Sequence, residues 1–392
     1  MTNKVTIYDT PAIDQLRREL RIDPQSLRRF RNSLLKKGHS DDEALAELPA
    51  DLRDLFASRV ELHALTLHSR ADSQQDGATK LLFRTAAGML IESVILRIAT
   101  GRTTLCVSSQ VGCAAACDFC ATGKMGIAQN LSPAEILDQV TQARQALATE
   151  DRTLRNLVFM GMGEPFHNEE NLYATLDALT APELCHHAPS RILISTVGLP
   201  DAMIRAARRY PTVHLALSLH SANQATREQI IPLARRYPLT ELRHALVEVN
   251  RIQPAGTPVM IEYLMLADLN DSPAAAAELI DWLANLRVHV NLIPFNPIDD
   301  APHLAGSDRP TREAFAATLK AAGFKTTIRY SLGADVEAAC GQLVRKENRR
   351  QRTAVQSDAR SYFGVVNSGD SQSADNERID ANLARAYDNT LD

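Results

Sequence analysis

Between residue 105 and about residue 345 the chain alternates between two kinds of segment. Short β-branched and aliphatic runs predict strands: LRNLVFM (154–160), RILIST (191–196), VHLALSLH (213–220), VMIEYLML (259–266), VHVNLIPF (288–295) and KTTIRY (325–330). Longer stretches between them carry apolar residues three and four apart and predict helices. They include PAEILDQVTQARQAL (133–147), LPDAMIRAARR (199–209), LTELRHALVEVNR (239–251) and PAAAAELIDWLANL (273–286). Strand–helix alternation requires a parallel α/β sheet, open or closed into a barrel, with ligands gathered at the carboxyl ends of the strands.

The flanks read differently. Residues 11–70 are rich in Leu, Ala, Arg and Glu, with Leu16, Leu20, Leu27, Phe30 and Leu34 at helical spacings. Arg17, Arg18, Arg21, Arg28, Arg29, Arg31, Lys36 and Lys37 face only Glu19 and Asp23 in this stretch. Such a charge run is either a solvated helix face or a nucleic-acid surface. Residues 72–77 read as a turn, followed by a β-hairpin formed by KLLFRT (80–85) and LIESVILRI (90–98). A second basic cluster, RKENRRQR (345–352), precedes an acidic, GDSQSADN-containing end expected to be a flexible tail. The expected division is a helical accessory domain at 1–75, a catalytic domain at 76–350 opening with the hairpin 79–99, and a tail at 351–392.

The chain has 392 residues and 45% hydrophobic content, enough to build a full core. A net charge of −4 excludes a uniformly basic nucleic-acid coater but leaves local basic patches open. No apolar run approaches the ~18 residues a membrane helix needs. The start, MTNKVTIYDT, lacks signal-peptide design, so a cytoplasmic protein without membrane contact is expected. In a reducing compartment, cysteines read as metal ligands or catalytic groups rather than staples. Cys106, Cys113, Cys117 and Cys120 crowd together, while Cys185 and Cys340 stand apart.

Cys113, Cys117 and Cys120 have CxxxCxxC spacing. Three thiolates on a short loop can hold three irons of a [4Fe–4S] cluster and leave the fourth iron open to a substrate. Structural zinc wants a fourth ligand, and no Cys or His follows soon enough to complete such a set. A zinc-holding RNA-binding module and a non-enzymatic iron–sulfur electron-transfer or sensor protein are the rival readings of these cysteines.

An aromatic residue, Phe119, precedes the last cysteine of the triplet, as in the radical S-adenosylmethionine (SAM) superfamily. The words TTLCVSSQVGC (103–113), GMGEPFHN (161–168), ISTVG (194–198), LSLHS (217–221), NLIPFNP (291–297) and DVEAACGQL (335–343) occur in that order. Together they resemble the RlmN/Cfr family of radical-SAM RNA adenosine methyltransferases over about residues 80–345. The resemblance implies a partial (β/α)6 barrel with an N-terminal helical accessory domain. It assigns Cys113, Cys117 and Cys120 to the cluster, and Gly163, Glu164, Ser195, Ser218, Leu219, His220 and Asn296 to SAM. Glu164 can accept from the SAM ammonium group, and the glycine turn before it lets backbone approach a ligand closely.

Adenine ring carbons 2 and 8 are electrophilic, so ordinary methyl transfer fails there. The resemblance implies a relay instead. A first SAM methylates Cys340, and a second starts radical chemistry on that S-methyl group. The carbon radical then adds to the adenine, Glu92 takes the ring proton, and Cys106 resolves the crosslink as a disulfide. Cys185 matches no family word. RlmN-type members act at carbon 2 of 23S rRNA and also treat tRNA, whereas Cfr-type members act at carbon 8 and give antibiotic resistance. TLCVSSQVGC is RlmN-like and CATGKMG Cfr-like; carbon 2 is the favoured expectation, with another radical-SAM substrate as the alternative. The segment RIDPQSLRRFRNSLLKKG departs from the family's usual N-terminal words. RNA is the expected partner, with a low-potential electron donor such as flavodoxin and a monomeric enzyme.

Overall fold

The computed structural model describes residues 4–98, 100–126, 128–339 and 341–342. These belong to the unit Met1–Arg345; the unit Lys346–Asp392, with nearly all of the second basic cluster and the acidic end, lies outside the described residues. Cys340 lies outside them too.

The N-terminal region pairs strand β1 (Val5–Thr6) with β2 (Val60–Glu61) around helices α1 (Thr10–Glu19), α2 (Pro24–Arg31), α3 (Asp41–Leu45) and α4 (Arg53–Arg59). Local chemistry starts these helices. Asp9 accepts the Ala12 amide at 3.0 Å, Asp23 accepts that of Ser26 at 2.9 Å, and Ser40 and Glu43 form a capping box. Ile13, Leu16, Leu27, Phe30, Leu34 and Phe56 form a separate core, with Phe30 edge-on to Phe56 at 5.2 Å. Part of the predicted positive charge is engaged inside this region. Arg31 is buried, Arg29 pairs with Glu47, and Lys36 Nζ donates to the Pro182 carbonyl at 2.6 Å.

The helical reading of 11–70 fails beyond Arg59. Thr66–Asp72 is a strand, β3, antiparallel to β4 (Ala78–Arg84), and β4 pairs in turn with β5 (Leu90–Arg97). Residues 73–77 form the expected turn between β3 and β4, so β3 belongs to the large sheet.

From β6 (Thr103–Cys106) the sheet becomes parallel. A small hairpin, β7 (Gln110–Gly112) and β8 (Ala128–Asn130), and helix α5 (Pro133–Ala148) lead to β9 (Asn156–Phe159), which pairs with β6. Then follow α6 (Glu169–Thr180), β10 (Ile192–Thr196), α7 (Pro200–Arg209), β11 (His214–Ser218), α8 (Gln224–Ile230) and α9 (Leu239–Ile252). The series ends with β12 (Val259–Met265), α10 (Pro273–Leu283), β13 (Val288–Pro294), α11 (Arg309–Ala321) and β14 (Lys325–Ile328). Each parallel strand lies beside its predecessor, giving the order β14-β13-β12-β11-β10-β9-β6-β5-β4-β3. This is the partial (β/α)6 barrel expected from the sequence, β6 and β9 to β13, extended by β14.

Strand alternation divides the sheet into two faces. Ile261 and Tyr263 enter the main core with Leu246, Leu279 and Phe315, whereas Met260, Glu262 and Leu264 line a cavity of about 980 Å³. No helix among the described residues is long and apolar enough to cross a membrane.

Candidate active site at the carboxyl ends of the strands

The cysteine loop links β7 to β8 and faces the cavity, which Cys113, Cys117 and Cys120 line together with Cys106 at the end of β6. The loop is tied both to a neighbouring segment and to itself. The Asp118 amide donates to the Ile230 carbonyl at 2.9 Å, and the Cys120 amide to the Cys117 carbonyl at 3.2 Å. Burial pushes the Cys113 thiol up to about 12 and Cys120 adds to this, while the Ala115 and Ala116 amides pull it back. Burial likewise raises Cys117, which Arg227 opposes. Close thiols that raise the pKa of Cys113 and Cys117 call for a cationic partner. Among the described residues no three His, Cys, Asp or Glu side chains converge as ligands of a single ion. A cubane takes one thiolate at each of three separate irons, so this donor set fits a [4Fe–4S] cluster better than zinc.

Beside this loop stands the turn after β9. Gly163 has φ +101°, and a Cβ there would meet Gln110 Cβ at 2.6 Å, so only glycine fits. Gln110 Oε1 also accepts the Glu164 amide at 2.9 Å. The buried Glu164 carboxylate takes the Phe166 amide on Oε1 at 3.0 Å and the Val197 amide on Oε2 at 2.8 Å. Burial nonetheless lifts its carboxyl to about 7. Ser108 ties the arrangement together. Its Oγ donates to the Glu92 carbonyl at 2.5 Å and accepts the Met162 amide at 2.8 Å.

Across the cavity, Ser195 Oγ and Ser218 Oγ lie 3.5 Å apart at the ends of β10 and β11. His220, in the left-handed region at φ 59°, meets Phe119 edge-on at 4.7 Å. The Leu264 amide can only donate, so His220 Nδ1 accepts it (3.0 Å) and a neutral ring carries its proton on Nε2. Burial drives this imidazole down to about 3, so it stays neutral. Leu219 is wholly buried, and its carbonyl accepts Arg227 Nε at 3.2 Å.

Glu92 lies on the same face of β5 as Val94 and Leu96 but does not itself line the cavity. Its neighbour Ser93 donates to Gln139 of α5 at 2.6 Å, so alternation turns Glu92, Val94 and Leu96 the other way, and Val94 and Leu96 line the cavity. Lys80 Nζ stands 3.7 Å from Glu92 Oε1. Val94 pairs with Cys106, which puts Glu92 one side-chain row from that thiol. Asn296 stands off from the lining, donating to Ser331 Oγ at 3.0 Å; Ser331 itself lines the cavity. The flanks of Cys340, Ala339 and Gly341, line it as well, and the Ala121 amide of the cysteine loop donates to the Gly341 carbonyl at 2.8 Å.

A triple-cysteine loop at the carboxyl end of a partial barrel, with a neighbouring SAM-sized cavity, defines a radical-SAM protein. The radical SAM superfamily profile matches residues 107–283. A Rhodopirellula baltica protein named a probable RNA methyltransferase is 58% identical over 365 residues, covering 92% of this chain and 94% of its own. A Thermus thermophilus protein named a probable dual-specificity RNA methyltransferase RlmN is 39% identical, covering 86% of this chain and 93% of its own. The crystal structure of a radical SAM methyltransferase from Sphaerobacter thermophilus superposes with a TM-score of 0.80 at 38% identity, over 86% of this chain and 99% of that one. The chain belongs to the RlmN/Cfr family of radical-SAM RNA methyltransferases. It is a SAM-dependent methyltransferase of the radical-SAM type.

Proposed function

We propose that this enzyme methylates carbon 2 of an adenosine in 23S rRNA, and also in tRNA, by a cysteine relay. The relatives named RlmN support the substrate class. The observation that carries the relay is Cys106: a thiol outside the CxxxCxxC loop, buried yet lining the same cavity. When bound on Cys113, Cys117 and Cys120, the cluster supplies reductive cleavage of SAM. Gly163, Glu164, Ser195, Ser218, the Leu219 backbone and His220 hold and orient SAM, and Asn296 supports the wall through Ser331. Cys340 carries the methyl group, and its described neighbours stand at the cavity wall. Glu92, on the cavity-facing side beside Lys80, accepts the ring proton, and Cys106 attacks the Cys340 sulfur to free the product. A base acting at this depth must leave its stack first. The reading extends to a cytoplasmic monomer served by a low-potential donor such as flavodoxin.

Nucleoside analysis of rRNA and tRNA from cells with and without the protein tests the reading. Loss of 2-methyladenosine is expected. Loss of 8-methyladenosine instead would move the activity to the other branch of the family, and loss of neither would overturn the RNA assignment. Mass spectrometry of the isolated protein should find one methyl group on Cys340, and Glu92→Gln should accumulate protein–RNA crosslink.

A further inference from the structure

Glu262 sits on β12 where the chain turns off the neighbouring strand, and its carbonyl accepts the Leu219 amide at 3.0 Å. The register sets Ser218, Glu262, Asn291 and Thr327 side by side across four strands. Residues paired in register share a face, so this row looks into the cavity. Asn291 Nδ2 donates to Glu262 Oε2 at 2.7 Å, and Thr327 Oγ1 donates to Asn291 Oδ1 at 2.9 Å. Glu262 is 2% exposed, yet among the described residues its Oε1 has no hydrogen-bond partner. A buried acceptor left without a donor is costly, so a fold retains one where something else completes it.

The surroundings narrow what that something is. Glu262 lines the cavity, and burial pushes its carboxyl up although Arg329 and the Asn291 hydrogen bond oppose the shift. Ser218 is one strand spacing away, roughly 4.8 Å, and Ser195 Oγ lies 3.5 Å beyond it. Two hydroxyls that both donate and accept, beside a carboxylate that only accepts, suit a vicinal diol. We propose that Glu262 accepts a ribose hydroxyl of an adenosine nucleoside, namely the ribose of SAM. This rests on the SAM-binding reading of Ser195 and Ser218. The target adenosine carries the same ribose chemistry, and the test separates the two.

The experiment measures equilibrium binding to the full chain, anaerobically and without reductant, so no turnover is needed. The ligands are SAM and its 2′-deoxy and 3′-deoxy analogues. The melting temperature of SAM-free protein is recorded alongside. The wild type should prefer SAM to one deoxy analogue by about tenfold or more. Glu262→Gln, nearly isosteric, should lose that preference to within about twofold without a lower melting temperature. A merely structural Glu262 would instead lower the melting temperature and leave the preference intact, overturning the proposal. Glu262→Ala repeats the measurement should the Gln side chain substitute for the carboxylate. An unchanged SAM preference in both variants, with a lost preference for RNA whose target carries its 2′-hydroxyl, would overturn the assignment to SAM and move the contact to the substrate. If the wild type does not bind SAM at all, the functional reading fails; if it binds and the variants discriminate as it does, only the present inference fails.

Discussion

Asp138, on α5 against the helical region, and Glu262, in the cavity, are both carboxylates removed from water. Around Asp138 every direction is occupied. Oδ1 takes His63 Nδ1 at 2.7 Å and the Tyr8 hydroxyl at 3.5 Å; Oδ2 takes the Leu65 amide at 2.8 Å and Gln142 Nε2 at 3.0 Å. Among the described residues Glu262 has one hydrogen-bond donor, Asn291, and one open oxygen. The first arrangement is complete without any ligand and joins two regions of the chain. The second is incomplete by itself, as are the buried thiols of the cysteine loop. Saturated burial marks architecture, and unsaturated burial marks the place where a ligand finishes the structure.

The largest effect should come from the cavity side. Cys117→Ala removes one corner of the cluster site, so iron bound after anaerobic reconstitution should fall to background and methylation should vanish. Because that thiol contributes no saturated network, the unfolding temperature of cluster-free protein should hold or rise. A fall in stability comparable to the loss of a core side chain would erase the contrast. Next comes the architectural carboxylate. Asp138→Ala strands His63, the Leu65 amide and Gln142, and should cost about 3–5 kcal/mol in urea unfolding, while the affinity of still-folded protein for SAM stays at the wild-type value. Gly163→Ala is smaller. It forces a side chain into φ +101° and against Gln110, which should weaken SAM binding by about tenfold, read by equilibrium titration, and lower the unfolding free energy by about 1–3 kcal/mol.

Where local patterns decide, the sequence reads well. RILIST becomes Ile192–Thr196 and PAEILDQVTQARQAL becomes Pro133–Ala148, whose start is fixed by a Ser132–Glu135 capping box visible in the residues themselves. Thr66–Asp72 was illegible because TLHSRAD is an exposed edge strand with no apolar alternation; pairing with β4 makes it a strand. In the site, spacing and resemblance led to the cysteines, the Gly163–Glu164 turn and the strand-end Ser195, Ser218 and His220, which the fold brings to one cavity. Asn296 stands off, its amide donating to Ser331 Oγ from a distant segment that the local pattern does not reveal. Arg227 could not be found, because QATREQI reads as a solvated helix. The carbonyls of Leu219 and Val197 draw its guanidinium into full burial beside Cys117. Gln110 and Ser108 act through turns that bring distant segments together. Glu262 did leave a signal: a lone carboxylate in the otherwise apolar run VMIEYLML is the kind of local conflict that marks a site.

The gentlest test titrates the saturated side. Both ring nitrogens of His63 face carboxylate oxygens, Nδ1 to Asp138 at 2.7 Å and Nε2 to Asp41 at 2.9 Å. Carboxylates only accept, so both nitrogens donate and the ring is imidazolium. Burial opposes that charge, but the hydrogen bonds and charges of Asp138 and Asp41 outweigh it and carry the imidazole from 6.5 up to about 10. Below pH 6.5 the unfolded chain holds this proton as well, and the stabilisation is fully present. Between 6.5 and 10 the folded protein binds more proton than the unfolded chain, so stability declines as pH rises, by about 1 kcal/mol per pH unit. His63→Gln should flatten this decline in unfolding measured at pH 6, 8 and 10. SAM affinity, which depends on groups across the sheet, should show the same pH dependence in variant and wild type. If the His63 substitution reshaped the pH profile of SAM binding instead, the two carboxylate environments would be coupled, and the line drawn between architecture and site would not hold.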